Sequence, residues 1–231
     1  RYDNMIYLDN SATTKPHESV LQTFLQVNER YFANPASIHK AGVEANDLLS
    51  RAREQVASIL NTEDKQVIFT SGGTESNNFA LYGIAKSSTH KGKHIIVSEI
   101  EHPSVLEAAK RLITEGFDIE YLRVDEHGKL SVEQLKRIIR KDTILVSVMH
   151  VNNEMGAISP IREMAKIIHE KSRAVFHVDA VQSFGKMHVA FDGENGPDIL
   201  TISGHKIHGI KGSGIIAFRK QLNIYPLLVG G

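Results

Sequence analysis

From residue 66 onward, short apolar runs alternate with longer stretches in which apolar residues recur every three or four positions. The short runs predict strands over residues 66–70, 94–98, 119–124, 143–149, 174–178, 199–203 and 214–218. The run Ile144-Leu145-Val146-Ser147-Val148-Met149 does not alternate, as expected of a strand covered on both faces. Helices fill the gaps. Ser131 followed three residues later by Gln134 reads as a capping box, and Leu135, Ile138 and Ile139 continue at helical spacing. Ser159-Pro160 reads as an N-cap followed by an N1 proline, with Ile161, Met164, Ala165 and Ile168 on one face. Upstream, Val20, Leu21, Phe24, Leu25 and Tyr31 mark one helix, and residues 47–60 lie in another.

Strand alternating with helix predicts an α/β fold: a mostly parallel, seven-stranded, doubly wound sheet with helices on both faces. The link before the last strand is short and glycine-rich, too short for a helical crossover. That strand is therefore expected antiparallel to its predecessor. No repeat, low-complexity segment or flexible linker interrupts the pattern. In open α/β sheets ligands sit beyond the carboxyl ends of the strands. Five such ends carry unusual residues.

At the first, Phe69-Thr70-Ser71-Gly72-Gly73-Thr74-Glu75-Ser76 runs from a strand through a glycine pair into a helix. Free backbone N–H groups and the helix dipole make a phosphate cradle there, although many α/β turns carry glycine without a ligand. At the second, Pro103 suits a first helical turn and sets His102 just before it, either as a helix cap or as a flat ring against a planar ligand. The third, Asn152-Asn153, needs hydrogen-bond partners, which a turn supplies as well as a ligand does. At the fourth, Asp179 directly follows an apolar run, so its carboxylate needs a positive partner, with Gln182 near enough to reach the same ligand. A structural salt bridge and a protonated pyridine nitrogen both meet that need. The fifth is Ser203-Gly204-His205-Lys206, where a lysine at the end of a buried strand is positioned rather than solvated, a candidate for Schiff-base chemistry. Ser203 and His205 are candidate phosphate donors. Taken together the five ends call for one ligand that is planar, phosphorylated, carbonyl-bearing and basic at a ring nitrogen. Pyridoxal 5'-phosphate meets every demand.

Composition narrows the class without naming it. The 231 residues are 41% hydrophobic and 23% charged, with 27 basic and 27 acidic side chains, which speaks against a nucleic-acid surface. No run approaches the ~18 apolar residues of a membrane span, and the first residues do not read as a signal peptide. The expectation is a cytoplasmic protein. Cysteine is absent, so these residues form no disulfide and no thiolate metal site, and no metal is expected.

Leu8-Asp9-Asn10-Ser11-Ala12-Thr13-Thr14, Ser71 through Asn78, Glu101-His102, Met149 through Gly156, His177-Val178-Asp179-Ala180-Val181-Gln182 and Ser203 through Gly209 together resemble the cysteine desulfurases. Those are fold-type I pyridoxal-phosphate enzymes of the class V aminotransferase group, and His205-Lys206-Ile207-His208-Gly209 looks like their NifS/IscS-type branch. The resemblance implies that Lys206 holds the cofactor as a Schiff base and moves protons at the substrate carbon. It implies that His102 stacks on the pyridine ring as a candidate acid/base, Asp179 pairs with the ring nitrogen and Gln182 contacts the ring hydroxyl. Gly73, Thr74, Ser203 and His205 would bind phosphate, and Asn153 would lie near the substrate carboxylate. Residues 1–15 correspond to a segment associated with the family's small domain, and residues 16–231 to the cofactor-binding large domain, incomplete at its C-terminal end. The implied reaction converts L-cysteine to L-alanine, leaving persulfide sulfur on a homodimeric enzyme for an iron–sulfur scaffold or a tRNA-thiolating protein.

Two departures qualify this. Ile210 stands where family members often carry proline, and the family's sulfur-accepting cysteine, small C-terminal domain and cross-dimer phosphate stretch fall later than Gly231. The expectation is therefore cofactor and substrate binding without turnover. The alternatives are another class V activity (an aminotransferase or a selenocysteine lyase) and a non-catalytic cofactor-binding fragment.

Overall fold

A computed structural model describes residues 5–189, 191, 195–219 and 222–230. Residues 1–4 of the expected N-terminal segment, and residue 231, lie outside them. The strands are β1 (Val67–Thr70), β2 (His94–Ser98), β3 (Asp118–Leu122), β4 (Thr143–Met149), β5 (Val175–Asp179), β6 (Ile199–Ser203) and β7 (Gly214–Phe218). The helices are α1 (Glu18–Arg30), α2 (Lys40–Leu60), α3 (Gly73–Ser87), α4 (Pro103–Thr114), α5 (Val132–Ile138) and α6 (Ile161–Lys171).

One sheet has the order β1-β7-β6-β5-β4-β2-β3. Strands β2 to β6 pair in parallel, and β7 runs antiparallel to both its neighbours, β6 and β1. The short Gly-rich link before β7 thus does what its length requires. Because side chains alternate across a strand, neighbouring residues feed two separate cores. Ile95 and Val97 of β2 and Ile216 of β7 pack under α3 and α4 with Leu81, Ile84 and Leu112. Ile96, Val146, Phe176 and Leu200 pack on the other face with Leu135, Met164 and Ile168 of α5 and α6. Each fully buried large side chain contributes roughly 1.5–3 kcal/mol, so β2, β4, β5 and β6 form a stiff platform. By contrast α1 has no buried residue, and Leu21, Phe24 and Leu25 on its apolar stripe are exposed.

Several local expectations change. The predicted strand over 119–124 ends at Leu122, and Val124 instead makes an isolated antiparallel bridge to Leu130. Asp179 is the last residue of β5 rather than the residue after it. The helix expected from residue 47 begins at Lys40, where the His39 ring accepts from the Gly42 N–H. Only half of the capping box forms: Ser131 Oγ accepts from Gln134 N–H at 3.1 Å, while Gln134 Oε1 accepts from Arg123 N–H at 3.0 Å. Ser159 does not cap α6 and Pro160 is not its first helical residue; Pro160 is the N-cap. The cause is competition, since Ser159 Oγ donates to Met149 O at the end of β4, 2.7 Å away.

Candidate active site

The carboxyl ends of β1, β2, β4, β5 and β6 open onto a cleft of about 620 Å³. Gly73, Thr74, His102, Asn153, Asp179, Gln182, Ser203, His205 and Lys206 all line it. Every residue proposed from the sequence to hold the cofactor or act on the substrate therefore faces one space, although these positions span more than half the chain.

Helix α3 starts at the end of β1, and the N–H groups of its first turn have no intrahelical acceptor. The approach is tight: a Cβ on Gly214 would lie 2.5 Å from Gly72 Cα, so β7 can lie against this loop only as glycine. Ser203 is 2% exposed, its Cβ 3.6 Å from where a Cβ on Gly73 would sit, and its Oγ has no hydrogen-bond partner among the described residues. A buried, unpartnered hydroxyl beside a helix N-terminus suits an anionic ligand.

Asp179 is 5% exposed; Oδ1 accepts from Val181 N–H at 2.9 Å and Oδ2 from Asn77 Nδ2 at 2.8 Å. Burial raises its pKa, against the Val181 and Asn77 hydrogen bonds and the more distant charges of His102 and Lys206. Two neutral donors leave the carboxylate short of a cation. Glu101, 4% exposed, accepts from Ser98 Oγ and from Met149 N–H at 2.6 Å, tying the end of β2 to the end of β4. Burial, with the charge of Asp179 adding, pushes Glu101 up to about 8.

Lys206 ends a short 3₁₀ turn (Gly204–Lys206) directly after β6. A Cβ on Gly204 would collide with Ser213 Oγ, so glycine there lets the turn fold back toward β7. The lysine Nζ donates to the carbonyls of Ser11 and, at 2.8 Å, Ala12. Burial lowers its pKa, as does the charge of Lys186. The same N-terminal segment straps the rest of the loop. Thr14 donates through both N–H and Oγ1 to His205 O at 2.8 Å, and His208 N–H donates to Thr14 Oγ1 at 2.7 Å. His205 Nδ1 lies 3.0 Å from Thr13 Oγ1, and burial lowers its pKa. Gln182 Nε2 donates to Ser11 O at 2.8 Å.

The asparagine pair divides its labour. Asn152 is the turn residue: Oδ1 accepts from Glu154 and Met155 N–H at 3.0 and 2.8 Å, and Nδ2 donates to Ile100 O at 3.2 Å. Asn153 faces the cleft. Sequence reasoning assigned no role to Ser11, Ala12, Asn77, Ser104 or Glu101. Ser11 and Ala12 act through backbone carbonyls, which leave no residue-type signal, but Glu101 beside His102 was readable as a carboxyl at a strand end.

The chain belongs to the aminotransferase class-V family, whose model matches residues 6–231. Within it, the chain is 46% identical over 226 residues to a protein of Dictyoglomus turgidum named cysteine desulfurase IscS, a match covering 98% of this chain and 57% of that one. It is 44% identical over 227 residues to a cysteine desulfurase IscS of Methanosarcina thermophila, covering 98% and 55%. Among solved structures, a NifS-like protein superposes with a TM-score of 0.94 at 39% identity, covering 98% of this chain and 62% of the other. The chain thus spans little more than half the length of these curated relatives. Among the described residues no helix is long and apolar enough to cross a membrane.

Proposed function

We propose that this chain is the cofactor-binding part of a pyridoxal-phosphate-dependent cysteine desulfurase. One observation carries the reading: the cation-deficient carboxyl of Asp179, the Ser203 hydroxyl with no partner among the described residues beside a helix N-terminus, and the half-buried amine of Lys206 all face one cleft. These are the three fixed points that pyridoxal phosphate needs, for its ring nitrogen, its phosphate and its aldehyde. When bound, the cofactor supplies an electron sink for the bonds around the substrate α-carbon.

The residues do the rest. Gly73 and Thr74 at the start of α3, with Ser203 and His205, would hold the phosphate. Asp179 would keep the ring nitrogen protonated in a site that burial makes dry, which strengthens the pairing. Lys206 would hold the cofactor through Nζ and move protons at the substrate carbon, its lowered pKa making the free amine available at a lower pH than an ordinary lysine. His102 would lie over the ring. Asn153 would orient the substrate carboxylate, and Gln182 the ring hydroxyl. Ser11 and Ala12 roof the cleft and hold the lysine ammonium.

Desulfuration moves the cysteine Sγ to an acceptor thiolate, so L-cysteine and a thiol become L-alanine and a persulfide. No cysteine occurs among the 231 residues, and a hydroxyl, amine or imidazole does not replace a soft sulfur nucleophile. The acceptor thiol must therefore come from outside these residues. The family likeness supports reading the working protein as a cytoplasmic homodimer that delivers sulfur to an iron–sulfur scaffold or a tRNA-thiolating protein. The exposed stripe of α1 is in keeping with a further surface covering it.

The test adds pyridoxal phosphate and then L-cysteine to the purified chain, following the visible spectrum and alanine release. A cofactor band that shifts with cysteine while no alanine appears supports the reading. A cofactor band that L-cysteine leaves unchanged contradicts it.

A further inference from the structure

Four side chains from β5, α3 and the start of α4 form a continuous hydrogen-bonded chain beneath the cleft. Asn77, in the second turn of α3, is 1% exposed, and its Nδ2 donates to Asp179 Oδ2 at 2.8 Å and to Ser104 Oγ at 2.9 Å. Ser104, the second residue of α4, places Oγ 2.8 Å from His102 Nδ1 and donates its backbone N–H to the same nitrogen at 3.1 Å. Donor direction can be assigned at each link. A backbone N–H only donates, so His102 Nδ1 accepts from Ser104 N–H and carries no proton in the neutral ring. Asn77 pointed the other way would set its oxygen 2.8 Å from a carboxylate oxygen; ionised Asp179 therefore fixes the amide as donor. Ser104 Oγ accepts from that amide, which leaves its own hydrogen to point at Nδ1. The Asn77 carbonyl oxygen is buried and has no partner among the described residues, an expense that makes sense if the amide's orientation is dictated from Asp179.

We infer that Asn77 and Ser104 are positioning residues that lock neutral His102 in the tautomer with its proton on Nε2, so that His102 offers the cleft an N–H and not a base. The consequence rests on the proposed cofactor reading. A neutral ring of this tautomer stacks and donates a hydrogen bond through Nε2, but has no free lone pair there to take a proton. Proton abstraction from the substrate then falls to Lys206 alone.

Nitrogen-15 NMR of the histidine rings, with His102 identified through a His102→Gln variant, reads the tautomer directly. It is measured in the chain without cofactor and again after pyridoxal phosphate is added. His102 is expected to show an unprotonated Nδ1 and a protonated Nε2 in both. Ser104→Ala, which removes the hydroxyl but keeps the backbone N–H that bars a proton from Nδ1, is expected to keep the tautomer while shifting the Nδ1 resonance as one of its two donors is lost. Asn77→Leu is expected to weaken binding of pyridoxine 5'-phosphate about tenfold, because a donor to a charged acceptor is lost. A wild-type His102 protonated on Nδ1 overturns the inference, and a ring unchanged by Ser104→Ala removes Ser104 and Asn77 from it. Failure of the chain to take up pyridoxal phosphate sinks the cofactor reading instead, while the tautomer is still read from the cofactor-free sample.

Discussion

Two belts of buried polar side chains cross the sheet, one at mid-strand and one at the carboxyl ends, and they are finished differently. In the middle, His177 of β5 sits between Ser147 of β4 and Thr201 of β6, its two ring nitrogens 2.8 and 2.9 Å from their hydroxyls. Burial pushes its pKa down to about 3, so the ring stays neutral and both nitrogens are partnered. Two residues further along the same face of the same strand, Asp179 has two neutral donors and, among the described residues, no cation within hydrogen-bond reach. Around it lie a buried hydroxyl, a buried carboxyl oxygen and a buried amide oxygen, on Ser203, Glu101 and Asn77, none with a partner among the described residues. The inner belt is complete in itself. The outer belt makes chemical sense only with something bound to it. Buried polarity alone does not mark a site; several open polar atoms gathered at one strand-end cleft do.

The sharpest way to break this contrast is to remove the key residue of each belt. Asp179→Ala should raise the Kd for pyridoxine 5'-phosphate, which binds without a covalent link, about 30-fold or more (~2 kcal/mol or more). Thermal unfolding of the cofactor-free chain should worsen less than in His177→Ala, because removing a poorly compensated buried acid offsets the acceptor that Asn77 and Val181 lose. Calorimetric titration and melting curves check both halves. Unchanged binding with lost stability would put Asp179 in the inner belt. His177→Ala should do the reverse. Two buried hydroxyls lose their partner, at a cost of about 1–3 kcal/mol in denaturant unfolding, while cofactor affinity stays within about twofold.

A smaller effect concerns Glu101. Its folded pKa of about 8 lies above the ordinary 4.5, so the folded state holds a proton that the unfolded chain gives up. That contribution to stability is full below about pH 4.5 and is lost as pH rises toward about 8, then levels off. Glu101→Gln, neutral at every pH, should flatten this part of the stability profile. An unaltered slope between pH 5 and 8 would show that Glu101 is ionised in the folded state.

The same contrast explains what could be read from sequence. The strands were legible because β4 and β6 are apolar runs covered on both faces, and the site followed from the rule that chemistry sits at strand ends. His102, Asp179 and Lys206 stood out because each is costly or oddly placed just there. Asn77 did not. In the sequence it is a polar residue inside a helix, and only the crossover that lays α3 beside β5 brings it to Asp179, 102 residues away. The roof over Lys206 was equally silent, since carbonyls exist at every position and only folding chooses Ser11 and Ala12. Capping signals misled at Ser159 because its hydroxyl had a nearer acceptor in Met149 O.

The central claim is that Lys206 holds pyridoxal phosphate in this cleft. The direct measurement loads the chain with the cofactor, reduces it with borohydride, digests it and maps the modified peptide. The account predicts that the label falls on Lys206 alone. Label on Lys186 or any other lysine, or a chain that carries none, would contradict it.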